Sequence, residues 1–256
     1  MQLFNALMSR SRSSNGQHEI FIFVHLPKTG GQTLRNSFTK HLELHREFIH
    51  LGPFGQQDAA RLGLLPFEQR PIEKREEAKV ILGHSVNCRT HTLVPSKVPR
   101  YVMFLRDPAE LLVSLYNFEL REEPLDQPVV PFDKWLKDSG RKDFMTKWLV
   151  EHFMAPDPPA TDKPTIESIN AALEKFWFVG CSEFMDDDVP LLLKRIGLPP
   201  KLIRSNVAGV HYPKRLTLDD ALKAKLYADN ELDLNLYRTW RDRLDQSRKR
   251  LEDELK

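Results

Sequence analysis

Two groups of residues in this chain have the types and spacing that bind anions. The first is the segment FVHLPKTGGQTL (residues 23–34), where a loop joins an apolar run to helical spacing. Gly30 and Gly31 let the backbone approach a ligand closely. The N–H groups that open the following helix attract an anion, Lys28 adds positive charge, and the hydroxyls of Thr29 and Thr33 add donors. The loop predicts a phosphate site; a tight strand–helix turn with an exposed lysine is the alternative.

The residue order of this loop differs from that of the Walker nucleotide-binding loop. The Walker pattern G-x-x-x-x-G-K-[ST] places its lysine after the glycines and follows it with a hydroxyl residue that binds magnesium. Here Lys28 precedes Gly30 and Gly31, and no obvious magnesium-binding carboxylate motif is present. A kinase or other phosphoryl transferase is therefore the weaker alternative.

The second group is Arg106 with Ser114, eight residues later. Asp107 is suited to cap a helix that has Pro108 at its first position, and Glu110 would complete a capping box. Arg106 would then sit at the helix start, where a guanidinium can bind a phosphate bidentately, and Ser114 could donate from the helix. We expect the buried face of this helix to consist of its large apolar residues, Leu111, Leu112, Leu115 and Phe118.

The elements that must position these groups follow from the apolar pattern. Short apolar runs at 20–26, 80–82, 101–105 and 176–180 predict buried strands. Helices are expected at 32–41, from 108, at 132–153, 165–175 and 187–196, and within 217–254, while 51–77 reads mainly as loop. This alternation predicts an α/β fold of three layers, with helices flanking a central, mostly parallel sheet. Ligands bind at the carboxyl ends of such strands, and the runs here end in PKTGGQT, GHS, RDP and GCSE.

Composition limits the class of protein. The 38 basic and 36 acidic residues leave a net charge of +2, which argues against nucleic acid as a partner. No apolar run is long enough for a membrane span. Residues 1–18 are expected to form a flexible tail and 19–256 a single domain. Cys88 and Cys181 are expected to be buried free thiols, and no zinc set is apparent, so we expect a cytoplasmic protein without a metal. The oligomeric state stays open.

The two anion-binding segments resemble a known family. FVHLPKTGGQTL is similar to the 5′-phosphosulfate-binding loop of the carbohydrate sulfotransferases, and RDPAELLVSLYNF is similar to their 3′-phosphate-binding segment. The likeness is greatest to the group that contains the heparan sulfate 2-O- and 6-O-sulfotransferases and bacterial relatives. Weaker similarity, at FWFVGCSEF and in the closing region from residue 205, extends it over roughly residues 19 to 240. The resemblance implies a P-loop-like fold and the sulfuryl donor 3′-phosphoadenosine 5′-phosphosulfate (PAPS).

The resemblance also implies which residues hold the donor. Around the 5′-phosphosulfate it places the loop, that is Lys28, Thr29, Gly30, Gly31, Gln32 and Thr33. On the 3′-phosphate it places Arg106 and Ser114. Gln32 departs from the family, which commonly has a small hydroxyl residue there, so only its backbone contact is expected. The closing region is expected over the adenosine, with candidate residues Arg204, Asn206 and Lys214.

Sulfuryl transfer to a hydroxyl needs a base and a cation on the leaving oxygen. Lys28 is placed to stabilise the bridging oxygen as it gains charge. A histidine has a pKa near working pH, and His84 follows a buried strand in the strand–Gly–His context of the family's catalytic histidine. The alternative for His84 is a structural hydrogen bond at the strand end. His91 is a second candidate base, and His25 is expected to be core or to line the donor pocket.

Taken together, the sequence predicts a PAPS-dependent O-sulfotransferase whose acceptor carries a free hydroxyl, by default on a glycan or glycoconjugate. The alternative outside the enzymes is a non-catalytic binding module. Such a module would keep the nucleotide site but bind glycans or a partner.

Overall fold

A five-stranded parallel sheet forms the centre of the protein. The computed structural model describes residues 18–122, 128–155, 165–204 and 215–256. The strands are β1 (Glu19–Val24), β2 (Phe48–His50), β3 (Val80–Gly83), β4 (Val98–Leu105) and β5 (Phe178–Cys181). Their order is β2-β3-β1-β4-β5, and every pairing is parallel. The predicted α/β fold is confirmed, and β2 is a strand that the apolar pattern did not predict.

The strand order determines which loops meet. β1 lies between β3 and β4, with Val24 paired with Gly83 on one side and Met103 on the other. The chain therefore leaves all three strands at the same end of the sheet, the end formed by their carboxyl termini. In open parallel sheets ligands bind at this end, between strands whose connections run to opposite faces. The segments that leave there contain Lys28, His84 and Arg106. The topology alone brings the three predicted functional segments together.

Helices cover both faces of the sheet. They are α1 (Gly31–Thr39), α2 (Pro53–Arg61), α3 (Ile72–Arg75), α4 (Pro108–Glu122), α5 (Phe132–Asp138), α6 (Phe144–Trp148), α7 (Ile166–Leu173), α8 (Met185–Ile196), α9 (Asp220–Asp229), α10 (Glu231–Asp242) and α11 (Leu244–Asp253). A π-helical turn, Leu149–Met154, continues α6. Strand side chains alternate between two apolar layers: Ile20 and Ile22 pack with α4, whereas Phe21 and Phe23 pack with α1 and α8. The predicted three layers are present.

Two expectations about helices are wrong. The segment 51–77 is not mainly loop, because α2 begins at Pro53 after Gly52 and a short α3 follows. Proline is well suited to a first helical turn, so the prolines here start helices instead of marking loops. The helix expected over 132–153 is broken between α5 and α6, where Gly140 (φ 64°) and Asp143 (φ 50°) have left-handed backbones that stop a helix.

The remaining expectations concern the two cysteines, the N-terminal tail and membrane-spanning helices. Cys88 and Cys181 are both buried and free, as expected. Apart from His18, the predicted N-terminal tail lies outside the described residues. Within the described residues, no helix is both long and apolar enough to cross a membrane.

Candidate functional site

The loop after β1 has an unusual backbone and leads directly into the N-terminus of α1. Lys28 and Gly30 both have left-handed backbones, with φ of 65° and 88°. Gly30 caps α1 without a side-chain hydrogen bond, and the first helical hydrogen bond is from Leu34 N–H to the Gly30 carbonyl. The N–H groups of residues 31–33 therefore have no partner within the helix, which is the arrangement that binds anions at helix N-termini.

Most residues of this loop line a cavity. Lys28, Gly30, Gly31, Gln32 and Thr33 all line a cavity of about 640 Å³. Gln32 directs its amide along α1, donating to the Asn36 side chain at 2.9 Å, so the backbone N–H is its contribution to the loop.

Thr29 differs from the rest of the loop. Its side chain is buried, it does not line the cavity, and its hydroxyl donates to the Leu26 carbonyl at 2.8 Å. The expectation that this hydroxyl faces the anion is wrong, because the hydroxyl closes the turn instead.

Arg106 braces the loop from the neighbouring strand. Its guanidinium donates to the Lys28 carbonyl at 2.9 Å and lies 3.7 Å from the Glu110 carboxylate one helical turn later. Lys28 and Arg106 line the same cavity. The loop and the start of α4 are thus held together by a cationic side chain that also borders the site.

The start of α4 is capped as predicted by Asp107, with a different partner in the capping box. Asp107 Oδ1 accepts from the N–H groups of Ala109 (3.0 Å) and Glu110 (3.2 Å). The N–H of Asp107 donates to Glu183 Oε1 at 2.8 Å, so Glu183 takes the place expected for Glu110. Glu183 follows β5, the strand next to β4, which brings its carboxylate to this helix start. Glu110 is left to face Arg106 and the cavity.

One face of α4 borders the cavity. Ser114, Asn117, Phe118 and Arg121 follow the i, i+3, i+4, i+7 spacing of a single helix face, and all four line the cavity. Leu111, Leu112 and Leu115 are buried as predicted, but Phe118 is 39% exposed. The assignment of Phe118 to the buried face is wrong, because it lies at the edge of the apolar arc, where the helix passes the cavity. We refer to Ser114, Asn117, Phe118 and Arg121 as the cavity face of α4.

His84 lies across the cavity, against His25. The two rings are stacked, with centres 4.0 Å apart and planes 20° apart. His84 Nδ1 is 2.7 Å from the His25 carbonyl. A carbonyl only accepts, so Nδ1 carries the proton and Nε2 of the neutral ring has a lone pair. Burial lowers the pKa of His84, and the hydrogen bond to the His25 carbonyl opposes this only in part. His84 is therefore uncharged near neutral pH and can accept a proton at Nε2.

His25 is packed between His84 and the loop. A Cβ on Gly31 would lie 1.8 Å from His25 Nε2, so only glycine fits beside this ring. Burial, followed by repulsion from the charge that His84 gains at low pH, lowers the pKa of His25 to about 3. Its Nδ1 is buried without a hydrogen-bond partner among the described residues. His25 lines the cavity, as expected, and separates the anion loop from His84.

The other candidates from the sequence lie elsewhere. His91, the second candidate base, is buried against the Tyr101 hydroxyl, 3.1 Å from Nδ1, and does not line the cavity. Arg204 lines a second cavity of about 620 Å³ and pairs with Asp186, with Nε 3.0 Å from Oδ1. Asn206 and Lys214 lie outside the described residues.

The two cavities meet at the loop. Both are lined by Lys28, Gly30, Thr33, Arg106 and Glu110, and the second extends towards Ser182, Phe184 and Leu202 after β5. A ligand with two anionic ends and a ring could therefore contact the loop and Arg106 while extending to either side. Within the described chain, no group of three or more His, Cys, Asp or Glu residues could hold a metal ion.

Some cavity residues were not found from the sequence. The lining also includes Asn117, Glu119, Arg141 and Arg215. Asn117 bonds both the N–H and the carbonyl of Leu216, each at 2.9 Å, and so fixes the segment that carries Arg215. The cavity-face spacing on α4 could have identified Asn117. No sequence signal connects α4 with Leu216, because the contact spans 99 positions of the chain.

Comparisons with known proteins show a distant likeness to solved structures. No protein-family model matches the chain, and no curated protein matches it. Among solved structures, a sulfotransferase from Alicyclobacillus acidocaldarius is 14% identical, and the match covers 89% of this chain and 96% of that chain with a TM-score of 0.45. A likeness at this level does not establish a shared activity, so the function of this chain is inferred from its own cavity.

Proposed function

We propose that this protein is a PAPS-dependent O-sulfotransferase that moves a sulfuryl group to an acceptor hydroxyl by in-line transfer. The observation that carries the proposal is one cavity lined by Lys28, Arg106, Ser114 and His84. Three segments far apart in the sequence supply two anion-binding groups and a neutral histidine with an available nitrogen.

The residues present fit the donor. Its 5′-phosphosulfate would be held by the N–H groups of residues 31–33 and by Lys28, with Thr33 and Gln32 in the same lining. Its 3′-phosphate would be held by Arg106 and Ser114, a guanidinium and a hydroxyl suited to phosphate oxygens. The second cavity continues from the same loop and leaves room for the rest of the nucleotide. PAPS is a cosubstrate in this proposal, and no metal takes part.

His84 and Lys28 divide the chemistry between them. His84 Nε2 accepts the proton of the acceptor hydroxyl as the new sulfur–oxygen bond forms, and His84 becomes imidazolium. Lys28 neutralises the charge that grows on the phosphate oxygen as its bond to sulfur breaks. Arg106 holds the Lys28 backbone in position during this step through the carbonyl at 2.9 Å. Alignment of acceptor and donor supplies most of the remaining acceleration.

A carbohydrate hydroxyl is the proposed acceptor class. This part rests on the resemblance of the two anion-binding segments to the carbohydrate sulfotransferases. The cavity is compatible with a polar acceptor, since Asn117, Glu119, Arg121 and Arg141 continue its wall beyond the loop.

The test is transfer from radiolabelled PAPS to a panel of glycans, glycosides, lipids and peptides. We expect label on a carbohydrate hydroxyl, a rate about 10²–10³-fold lower for Lys28→Ala, and an equal or larger loss for His84→Ala. His41→Ala, outside the cavity lining, is the matched control and should retain the rate. Transfer that is absent for every acceptor, together with magnesium-dependent ATP turnover, would replace the proposal with a phosphoryl transferase. Binding of the nucleotide without any transfer would favour the non-catalytic module.

A further inference from the structure

Phe118 is a large apolar side chain that faces the cavity instead of the core. It is 39% exposed, although the helix that carries it buries Leu111, Leu112 and Leu115 almost completely. An aromatic ring on the wall of a charged cavity needs another explanation than core packing. The ring can contribute there through its π-face, which attracts cations.

Two cations lie over this ring. Lys28 Nζ is 4.4 Å from the ring centre, and the guanidinium carbon of Arg121 is 5.0 Å from it. Both distances fall within the roughly 6 Å over which a cation and an aromatic face attract each other. Phe118 therefore links the lysine of the anion loop to the cavity face of α4.

The lysine is oriented from its other end as well. Its backbone is left-handed, with φ of 65°, and its carbonyl accepts from Arg106. A left-handed backbone is uncommon for a residue with a side chain, and it persists where neighbouring contacts hold it. Arg106 fixes the main chain of Lys28, and the Phe118 ring lies at the amine.

We propose that Phe118 is the positioning residue for Lys28: its ring holds the amine at the junction of the anion loop and α4. The catalytic importance of this position rests on the proposed function, whereas the ring–amine contact itself does not. A lysine has four rotatable side-chain bonds, so without the ring its amine would sample positions away from the transferring group. Misplacement of a catalytic group by about 1 Å can cost up to about 10²-fold in rate.

The first experiment observes the contact without any activity. Protein labelled with ¹³Cε-lysine is compared by NMR as the wild type and as Phe118→Leu, Phe118→Tyr and Phe54→Leu, with Lys28→Arg used to assign the Lys28 signal. Phe54 is 65% exposed and does not line the cavity, so it is a matched control for the Phe-to-Leu exchange. We expect the ring current to move the Lys28 ε-protons upfield. The shift should be retained in Phe118→Tyr and Phe54→Leu and lost in Phe118→Leu. An unshifted signal in the wild type, or a shift retained in Phe118→Leu, overturns the proposal.

The second experiment measures what the contact does. Phe118→Leu should lower kcat by about tenfold and change the Kd for adenosine 3′,5′-bisphosphate by less than about threefold, because the N–H groups of residues 31–33 and Arg106 still hold that product. Phe118→Tyr, which keeps the π-face, should restore most of kcat. A rise in the acceptor KM with kcat unchanged would assign the ring to acceptor binding and overturn the proposal. If the wild type transfers no sulfuryl group, the proposed function fails, and the NMR comparison still decides the role of Phe118.

Discussion

His84 stacks on His25 and donates from Nδ1 to the His25 main-chain carbonyl, with ring centres 4.0 Å apart and a hydrogen bond of 2.7 Å. The two contacts fix both the direction of the His84 ring and the nitrogen that carries its proton. Because β1 and β3 are adjacent and parallel, the residues that follow them are brought side by side. The position of the proposed base is therefore a consequence of the sheet.

Replacing His84 should separate catalysis from donor binding. We expect His84→Gln to lower kcat by about 10²–10⁴-fold, since a positioned general base contributes that range. The Kd for adenosine 3′,5′-bisphosphate, measured by calorimetry, should change by less than about threefold, because the anion-binding residues lie on the loop and α4. A variant that keeps more than a tenth of the wild-type kcat would remove His84 from the role of base.

The pH dependence of the rate should reflect the lowered pKa of His84. Burial lowers the pKa below its usual 6.5. A base works in its deprotonated form, so kcat/KM should fall only when the pH drops below that lowered value. The acid limb of the pH–rate profile should therefore have its midpoint below 6.5. A midpoint clearly above this value would mean that the base is a different group or that a nearby anion stabilises the imidazolium.

Folding stability should also depend on His25. Its pKa is about 3 in the folded protein and near 6.5 when unfolded. Between these values the unfolded chain binds a proton that the folded chain does not. The contribution of His25 to stability is therefore fully present above pH 6.5 and is lost as the pH falls through this window, by up to about 1.4 kcal/mol per pH unit. In urea unfolding at several pH values, His25→Leu should flatten this slope. Equal slopes in His25→Leu and the wild type would argue against a buried neutral histidine.

A methyl group on Gly31 should disturb the site through His25. The added Cβ would lie 1.8 Å from His25 Nε2, and His84 blocks the ring from moving away. We expect Gly31→Ala to lower the free energy of unfolding by about 1–3 kcal/mol, as overpacking does, and to lower the rate of transfer. Gly63→Ala is the control: no atom lies within 4 Å of its added Cβ, and its φ is 68°. It should cost only about 1–2 kcal/mol from the left-handed backbone and leave the transfer rate unchanged. Unchanged stability and rate in Gly31→Ala would contradict the tight packing of His25.

The main elements of the fold could be predicted from the sequence because they depend on local patterns. Continuous apolar runs indicated β1, β3, β4 and β5, since strands buried on both faces have few polar positions. Asp107 and Pro108 correctly indicated where α4 begins. The strand β2 was missed because it has only three residues and depends on its pairing with β3. The strand ends correctly indicated the edge of the sheet where Lys28, His84 and Arg106 meet.

Contacts between distant parts of the chain could not be predicted from the sequence. Glu183, which is 76 positions from Asp107 in the sequence, accepts the hydrogen bond of the Asp107 N–H. The local capping box with Glu110 therefore does not form. Phe118 follows the apolar periodicity of α4, and only the path of the helix past the cavity exposes it. The Thr29 hydroxyl donates to a carbonyl within its own turn, and the residue type alone does not show whether a threonine will bind the loop or the ligand. Local rules identified the elements, whereas tertiary packing decided what each side chain does.

Donor binding in the cavity is tested by calorimetry that compares adenosine 3′,5′-bisphosphate with adenosine 5′-monophosphate. The two ligands differ only in the 3′-phosphate, which we propose is bound by Arg106 and Ser114. We expect one bisphosphate per chain, bound about 10–100-fold more tightly than the monophosphate, since hydrogen bonds to charged groups contribute about 1.5–3 kcal/mol. In Arg106→Gln, checked for folding by circular dichroism, this preference should largely disappear. Equal affinities in the wild type, or no binding of the bisphosphate, would contradict the assignment of this cavity to PAPS.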